Sequence, residues 1–204
     1  MKLAIVPKQQ DGEPFWHVQL ALLAAIGLQL LMSKELVFGS KYVMAGSELV
    51  LLALISLGIF GKRIQHLLAY LFFVVVAVAN VISLGLVIYQ LLYTSKVTGT
   101  QLLISALAIY LVNVILFGFL YWELDGNHPD EPDFEFPQFT SEKQLSWRPT
   151  FFDYLYVSMT NGTAFSPTDT MPFTHRSKFF MGIQALISLI TVVLVTARAV
   201  NIIG

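Results

Sequence analysis

The densest set of oxygen-bearing groups in the chain lies in residues 160–168, which read TNGTAFSPT. Hydroxyls, a side-chain amide and backbone carbonyls are hard oxygen ligands, which suit cations. Gly162 is the residue that can adopt a positive φ and turn a carbonyl toward a lumen. One copy of the segment cannot surround an ion, so coordination requires a symmetric oligomer, most simply of four subunits. The candidate cation path comprises Thr160, Asn161, Gly162, Thr163, Ala164, Phe165, Ser166 and Asp169.

A short helix is predicted directly before this segment. Its i, i+3, i+4 pattern is carried by Phe151, Tyr154, Leu155, Ser158 and Met159. It is too short to cross a bilayer, and Gly162 and Pro167 stop it because they cost about 1 and about 3 kcal/mol in a helix. Irregular backbone at membrane depth must be buried in protein or line a wet cavity. A pore loop is therefore indicated, with an extramembrane loop and an interfacial helix as the alternative.

An acidic cluster precedes this helix, because seven of the thirteen acidic residues lie within residues 123–142. Carboxylates beside a pore mouth would raise the local cation concentration and repel anions. The candidates for this role are Glu123, Asp125, Asp130, Glu131, Asp133 and Glu135. A solvated loop broken by prolines is the simpler explanation of such a charge run.

Composition sets the class of protein. Of 204 residues, 56% are hydrophobic and only 12% are charged, whereas about a quarter of a soluble domain is charged. This indicates an integral membrane protein in contact with the lipid bilayer. A net charge of -1 gives no reason to expect nucleic acid as a partner. Without cysteine the chain has no disulfide and no thiolate ligand or nucleophile.

Apolar runs predict an all-α integral membrane fold with about five transmembrane helices plus a re-entrant pore helix and loop. The predicted spans are residues 15–32, 47–60 with a few residues upstream, 65–93, 101–122 and 177–203. Residues 1–100 would form an N-terminal three-helix transmembrane region and residues 101–204 a pore-like module. Asn80, Ser83 and Asn113 lie inside spans and are expected to bond neighbouring helices.

No catalytic pattern is found. The four histidines lie at separate segment ends, and neither a Ser-His-Asp order nor a HExxH motif occurs. His128 lies among carboxylates, but the spacing matches no known metal-ligand pattern. There is no glycine-rich phosphate loop. We therefore expect neither an enzyme nor a cofactor or metal.

The fourth span, Thr160-Asn161-Gly162 and the fifth span together resemble the pore module of the tetrameric cation channels. The resemblance implies a homotetramer that conducts monovalent cations, potassium or sodium, passively. A potassium filter reads Thr-Val-Gly-Tyr-Gly-Asp, whereas this loop lacks the second glycine and has Phe165, Ser166 and Pro167 there. The resemblance therefore implies a degenerate, weakly selective filter. A non-conducting relative with a structural or partner-binding role, closed by Phe165, is the alternative.

The wider chain resembles a family of uncharacterised bacterial membrane proteins, which implies a location in the bacterial inner membrane. The motifs that carry this likeness are residues 121–125, 147–149, 153–156, 163–172 and 197–201. Orientation is less simple. A loop opening outward would place Lys62 and Arg63 outside, against the preference of basic residues for the cytoplasm. Either the loop enters from the cytoplasm or the number of spans differs by one.

Overall fold

The computed structural model of the chain is mostly helical and describes residues 15–37, 39–93, 96–127, 132–140, 147–163 and 169–203. The helices are α1 (Trp16–Leu31), α2 (Lys41–Ser56), α3 (Lys62–Tyr93), α4 (Gly99–Asn127), α5 (Phe151–Gly162) and α6 (His175–Ile203). Two short strands, β1 (Phe134–Glu135) and β2 (Met171–Pro172), and two 3₁₀ turns, Lys34–Leu36 and Pro137–Thr140, complete the described elements.

Three helices, α3, α4 and α6, are long and apolar enough to cross a membrane. They indicate an integral membrane protein, as the composition predicts. α1 is apolar but has only 16 residues, and α2 also has 16. Since a span needs about 20 residues, three of the five predicted spans meet the length and composition of a membrane helix.

Two predicted boundaries need correction. The second apolar run, 47–60, needs residues upstream to span, and α2 does begin upstream at Lys41, but it ends at Ser56 rather than at residue 60. Gly58 follows it with φ +61, a backbone conformation that glycine adopts without steric cost. The fourth span was expected to stop at residue 122, but α4 continues to Asn127. In these added turns Glu123 contacts His66, and Asp125 accepts a hydrogen bond from the Tyr154 hydroxyl.

α4 is the central helix and contacts α1, α3, α5 and α6. The end of the molecule at which α4 ends is called the proximal end here, and the other the distal end. Trp122 on α4 lies beside Phe15 and Phe151, with ring centroids 6.0 and 6.4 Å apart. Glu123 contacts His66. α1, α3 and α5 therefore all begin at the proximal end and run antiparallel to α4.

A two-stranded sheet and a buried ion pair lie at the proximal end. β1 and β2 pair antiparallel, with Phe134 opposite Pro172. Asp133, which is fully buried, pairs with Arg176 of α6 at 2.6 Å. These contacts fix the segments before and after α5 beside one another. The chain therefore enters α5 and enters α6 from the same end of the molecule.

Polar side chains within the long helices join neighbouring helices, as predicted for two of the three residues. Asn80 Nδ2 of α3 donates to the Ile109 carbonyl of α4 at 3.1 Å. Asn113 Nδ2 of α4 donates to Ser188 Oγ of α6 at 2.9 Å. Ser83 is buried on α3. Such bonds satisfy polar groups that would otherwise face an apolar interior.

Candidate functional site

α5 begins with a side-chain cap at the proximal end. The Asp153 carboxylate accepts hydrogen bonds from the Thr150 backbone N–H and hydroxyl, both at 2.7 Å. This satisfies an N–H group at the helix start that has no partner within the helix. The carboxylate also lies at the positive end of the helix dipole. The sequence TFFD thus starts α5 at Phe151.

α5 packs closely along α4 because α4 has a glycine at the contact. A Cβ at Gly118 would lie 3.0 Å from the Leu155 Cα, so a larger residue would push the helices apart. Further along, Ser158 Oγ donates to the Val114 carbonyl at 2.6 Å. Gly162, at the end of α5, lies beside Tyr110. α5 therefore ends near the middle of α4.

Gln184 of α6 is the hub of a buried polar layer at this depth. It is fully buried, and its Oε1 accepts from the Tyr121 hydroxyl at 2.6 Å and from Asn161 Nδ2 at 2.8 Å. Its Nε2 donates to the Ser158 carbonyl at 2.9 Å and to Ser158 Oγ at 2.7 Å. One amide thus joins α4, α5 and α6. A buried network with all its members bonded holds a single arrangement.

The last turn of α5 is fixed against α6 in the same layer. A Cβ at Gly162 would lie 3.1 Å from Ser188 Oγ and 3.6 Å from both Gln184 Nε2 and the Tyr110 hydroxyl. Asn161 Nδ2 also donates to the Met181 carbonyl at 3.0 Å. The Tyr110 hydroxyl is buried and has no hydrogen-bond partner among the described residues. Only glycine fits at position 162 without moving a neighbour.

The opposite side of α5 is not covered by the other described parts of the chain. Phe152, Tyr156, Met159 and Thr163 are exposed there at helical spacing. The Thr160 hydroxyl donates to the Tyr156 carbonyl at 2.9 Å, and the Thr163 hydroxyl to the Met159 carbonyl at 3.1 Å. Both hydroxyl oxygens keep lone pairs that can accept from water or face a cation. The C-terminal end of a helix also carries a partial negative charge.

The structure separates the predicted path residues into two groups. Asn161 and Gly162 face α4 and α6, whereas Thr163 and Asp169 are exposed and Thr160 is partly exposed. Ala164, Phe165 and Ser166 lie outside the described residues. Asn161 and Gly162 therefore position the end of α5, while the threonines are on its uncovered side.

Three of the predicted cation-concentrating carboxylates are engaged by the protein itself. Glu123 is buried and contacts His66. Asp125 accepts from the Tyr154 hydroxyl and from the Asp133 backbone N–H, both at 2.5 Å. Asp133 is paired with Arg176. Glu135 is partly exposed on β1, and Asp130 and Glu131 lie outside the described residues. Half of these six carboxylates therefore hold segments of the protein together at the proximal end.

The sequence argument missed the polar stripe on α6. Gln184, Ser188 and Thr191 are all buried and follow i, i+4, i+7 spacing, so they share one helix face. This stripe of polar residues in an otherwise apolar span is the sequence pattern from which a buried polar contact could have been predicted. Glu48, the second residue of the predicted 47–60 run, was also missed. It is fully buried on α2, and one of its oxygens accepts from Gln29 Nε2 at 3.1 Å.

Within the part of the chain that the structure describes, no three His, Asp or Glu side chains are grouped so that they could hold a metal ion. Comparison with known proteins found no matching family model, no similar curated protein and no similar solved structure. The functional argument therefore depends on the geometry of the α4, α5 and α6 layer.

Proposed function

We propose that this membrane protein conducts cations passively through a pore that four copies of the chain enclose, with the end of α5 and the segment after it lining the path. The observation that carries the proposal is the position of Gly162, beside Tyr110 of α4 and Ser188 of α6. α5 enters from one end and ends near the middle of two long helices, α4 and α6, and we infer that irregular backbone follows it at membrane depth. Such backbone requires a protein cavity or a wet lumen.

The length of the following segment is compatible with a re-entrant loop. α5 has 12 residues, so it advances ~18 Å at 1.5 Å per residue. Residues 163–170 can span ~26 Å when extended, at roughly 3.3 Å each. The chain can therefore return from the end of α5 to β2, which is paired with β1 at the proximal end.

The charges at this depth favour cations over anions. The partial negative charge at the end of α5 stabilises a cation. The hydroxyls of Thr160 and Thr163 add hard oxygen ligands. Neither α4 nor α5 contains a lysine or arginine. An anion in the same place would meet no positive side chain on either helix.

Two surfaces of the described chain are available for contact with neighbouring copies. Only 22% of the most apolar stretch of α6 is buried within the chain. On α5, the Phe152 side chain is 74% exposed. Lipid or neighbouring copies can cover such faces. Four copies meeting along them would place four α5 ends around one axis, which a single chain cannot do.

The test is ion flux into liposomes that contain the purified protein, measured with potassium, sodium, a large organic cation and chloride. We expect potassium and sodium flux without chloride flux. Gly162→Val should abolish it, because the new side chain would displace α5 from Ser188. The matched control is Gly85→Val on α3, where a Cβ meets nothing within 4 Å. This control should conduct like the original protein.

If no flux is observed, the oligomeric state shows whether the proposed tetramer forms at all. Native mass spectrometry of the protein in mild detergent should show four copies. Chloride flux, or equal conductance in Gly162→Val and Gly85→Val, would contradict the proposed path. A folded monomer or dimer without flux would favour the alternative of a non-conducting membrane protein with a structural or partner-binding role.

A further inference from the structure

A cavity of about 300 Å³ lies at the proximal end, away from the α4, α5 and α6 layer. It is a partly open cavity lined by residues at the start of α1, the end of α2, the start of α3 and the end of α4. Small-molecule sites begin at about this volume and are mostly apolar with a few polar groups. This cavity has that composition. It is separate from the proposed cation path.

Aromatic rings form one side of the cavity. Phe15, Phe119 and Trp122 all line it. The Trp122 ring lies 6.0 Å from the Phe15 ring and 6.4 Å from the Phe119 ring, with interplanar angles of 34° and 28°. Ile55 and Ala69 add aliphatic surface. Trp122 is stacked with Phe119 and tilted against Phe15. A flat ligand ring can pack against aromatic side chains by offset stacking or edge to face.

His66 and Glu123 form a polar pair that lines the cavity. His66 Nδ1 contacts Glu123 Oε1, and the Glu123 side chain is only 9% exposed. This contact uses one of the two imidazole nitrogens and leaves Nε2 for another group. Nε2 donates a hydrogen bond when the ring is charged and accepts one when it is neutral. His66 can therefore bond either a carbonyl or a hydroxyl group. Gln65 lines the same cavity and adds an amide.

The Glu123 and His66 side chains disfavour charged ligands in this cavity. When His66 is neutral, the nearly buried Glu123 carboxylate would repel an anion. A cation would have to compete with His66 for the same carboxylate. An uncharged ring compound with a carbonyl or hydroxyl meets neither obstacle.

We propose that this cavity binds the ring of a membrane-soluble quinone or quinol. The aromatic residues would stack on the ring, and His66 would bond one of its oxygens. Because the cavity is at the lower limit for ligand sites, it suits a head group of one or two rings with the tail outside. Its place at the proximal end, close to Lys62 and Arg63 of the first turn of α3, is where basic and aromatic residues meet a bilayer surface.

Fluorescence quenching tests this proposal in lipid nanodiscs. The chain has three tryptophans, so Trp16→Phe and Trp147→Phe leave Trp122 as the reporter. The probes are a benzoquinone with one isoprene unit and 2-methyl-1,4-naphthoquinone. We expect saturable quenching with a micromolar Kd. Ser56→Phe, which fills the cavity, should weaken binding at least tenfold.

The matched control is Ser47→Phe, on the exposed side of the same helix. Both serines donate to a carbonyl of α2, Ser56 to Leu52 and Ser47 to Met44, each at 2.7 Å. Ser47→Phe should bind like the original protein. Quenching that rises linearly with quinone, or equal binding by the two variants, would mean partition into lipid and would overturn the proposal.

His66 has its own control. His66→Ala should weaken quinone binding about tenfold, the effect of one lost hydrogen bond of about 1.4 kcal/mol. His175→Ala, at an exposed histidine that begins α6, should have no effect. If His66→Ala binds the quinone unchanged, or if naphthalene binds as tightly as the naphthoquinone, the assignment to quinones is wrong. These outcomes are independent of cation flux.

Discussion

Gly162 on α5 lies so close to Ser188 on α6 that a Cβ at position 162 would be 3.1 Å from the serine hydroxyl oxygen. Ser188 in turn accepts a hydrogen bond from Asn113 of α4. The last turn of α5 is thus positioned by one contact, in which Gly162 of α5 packs on a serine hydroxyl of α6 that is itself hydrogen-bonded. The depth of α5 depends on this contact.

The first prediction concerns that contact. Gly162→Ala is expected to lower the free energy of unfolding by about 1–3 kcal/mol, because the core is overpacked. Ser188→Ala should cost about 1 kcal/mol through the lost bond to Asn113. The double variant should lose less than the sum by at least about 0.5 kcal/mol, since the crowding is relieved. Denaturant unfolding in detergent measures all three, and strict additivity would contradict the contact.

Gln184 provides the second prediction. Gln184→Leu leaves the Tyr121 hydroxyl without its acceptor and removes one hydrogen bond each from Asn161 and Ser158. An unsatisfied buried hydroxyl costs about 1–3 kcal/mol and each lost bond about 1 kcal/mol, so we expect a loss of about 3 kcal/mol and a lower Tm. Gln19→Leu, at a partly exposed position of α1, is the control and should change stability by less than about 0.5 kcal/mol. Similar Tm values for both variants would rule out a hub role for Gln184.

Arg176 provides the third. Arg176→Gln leaves the fully buried Asp133 without its ion-pair partner, which costs about 3–5 kcal/mol. Lys178→Gln removes an exposed charge from the same turn and should be nearly neutral. Asp133→Asn combined with Arg176→Gln should recover part of the loss. Thermal unfolding is the measurement, and a double variant no more stable than Arg176→Gln alone would contradict the pairing.

Glu48 provides the fourth. Its oxygen accepts from the Gln29 amide, and the side chain is fully buried. Glu48→Gln keeps the shape and removes the cost of burying a charge, so stability should be unchanged or higher. Glu48→Ala should lower it by about 1–3 kcal/mol, because the buried Gln29 amide loses its acceptor. Greater damage from Gln than from Ala would show that the carboxyl itself is needed.

The fifth prediction concerns orientation. Five basic residues of the described segments lie at the proximal end, Lys62, Arg63, Arg148, Arg176 and Lys178. Four lie toward the distal end, Lys34, Lys41, Lys96 and Arg198. The positive-inside rule therefore places the proximal end in the cytoplasm. The chain has no cysteine, so single cysteines can be labelled in intact cells. An impermeant maleimide should react with Ser40→Cys and, only after permeabilisation, with Gly61→Cys. The reverse result would invert the topology.

Several features followed from the sequence because they depend on neighbours along the chain. Composition and long apolar runs gave the membrane class and the three longest helices, since transfer to lipid depends on the residues themselves. The pattern of α5 and its stop at Gly162 follow from side-chain spacing and helix propensity. Asn80 and Asn113 had to bond across helices because an apolar interior offers nothing else.

Tertiary structure decided what these residues face. Glu123, Asp125 and Asp133 read as free charges in the sequence, but His66, Tyr154 and Arg176 from distant segments bind them. Gln184 became a hub only because α4 and α5 bring Tyr121, Asn161 and Ser158 to it. Contacts between residues far apart in the chain depend on how the helices pack. The spacing of side chains within one helix does not specify which residues of other helices they contact. The sequence therefore determined the helices, and their packing determined the buried polar layer.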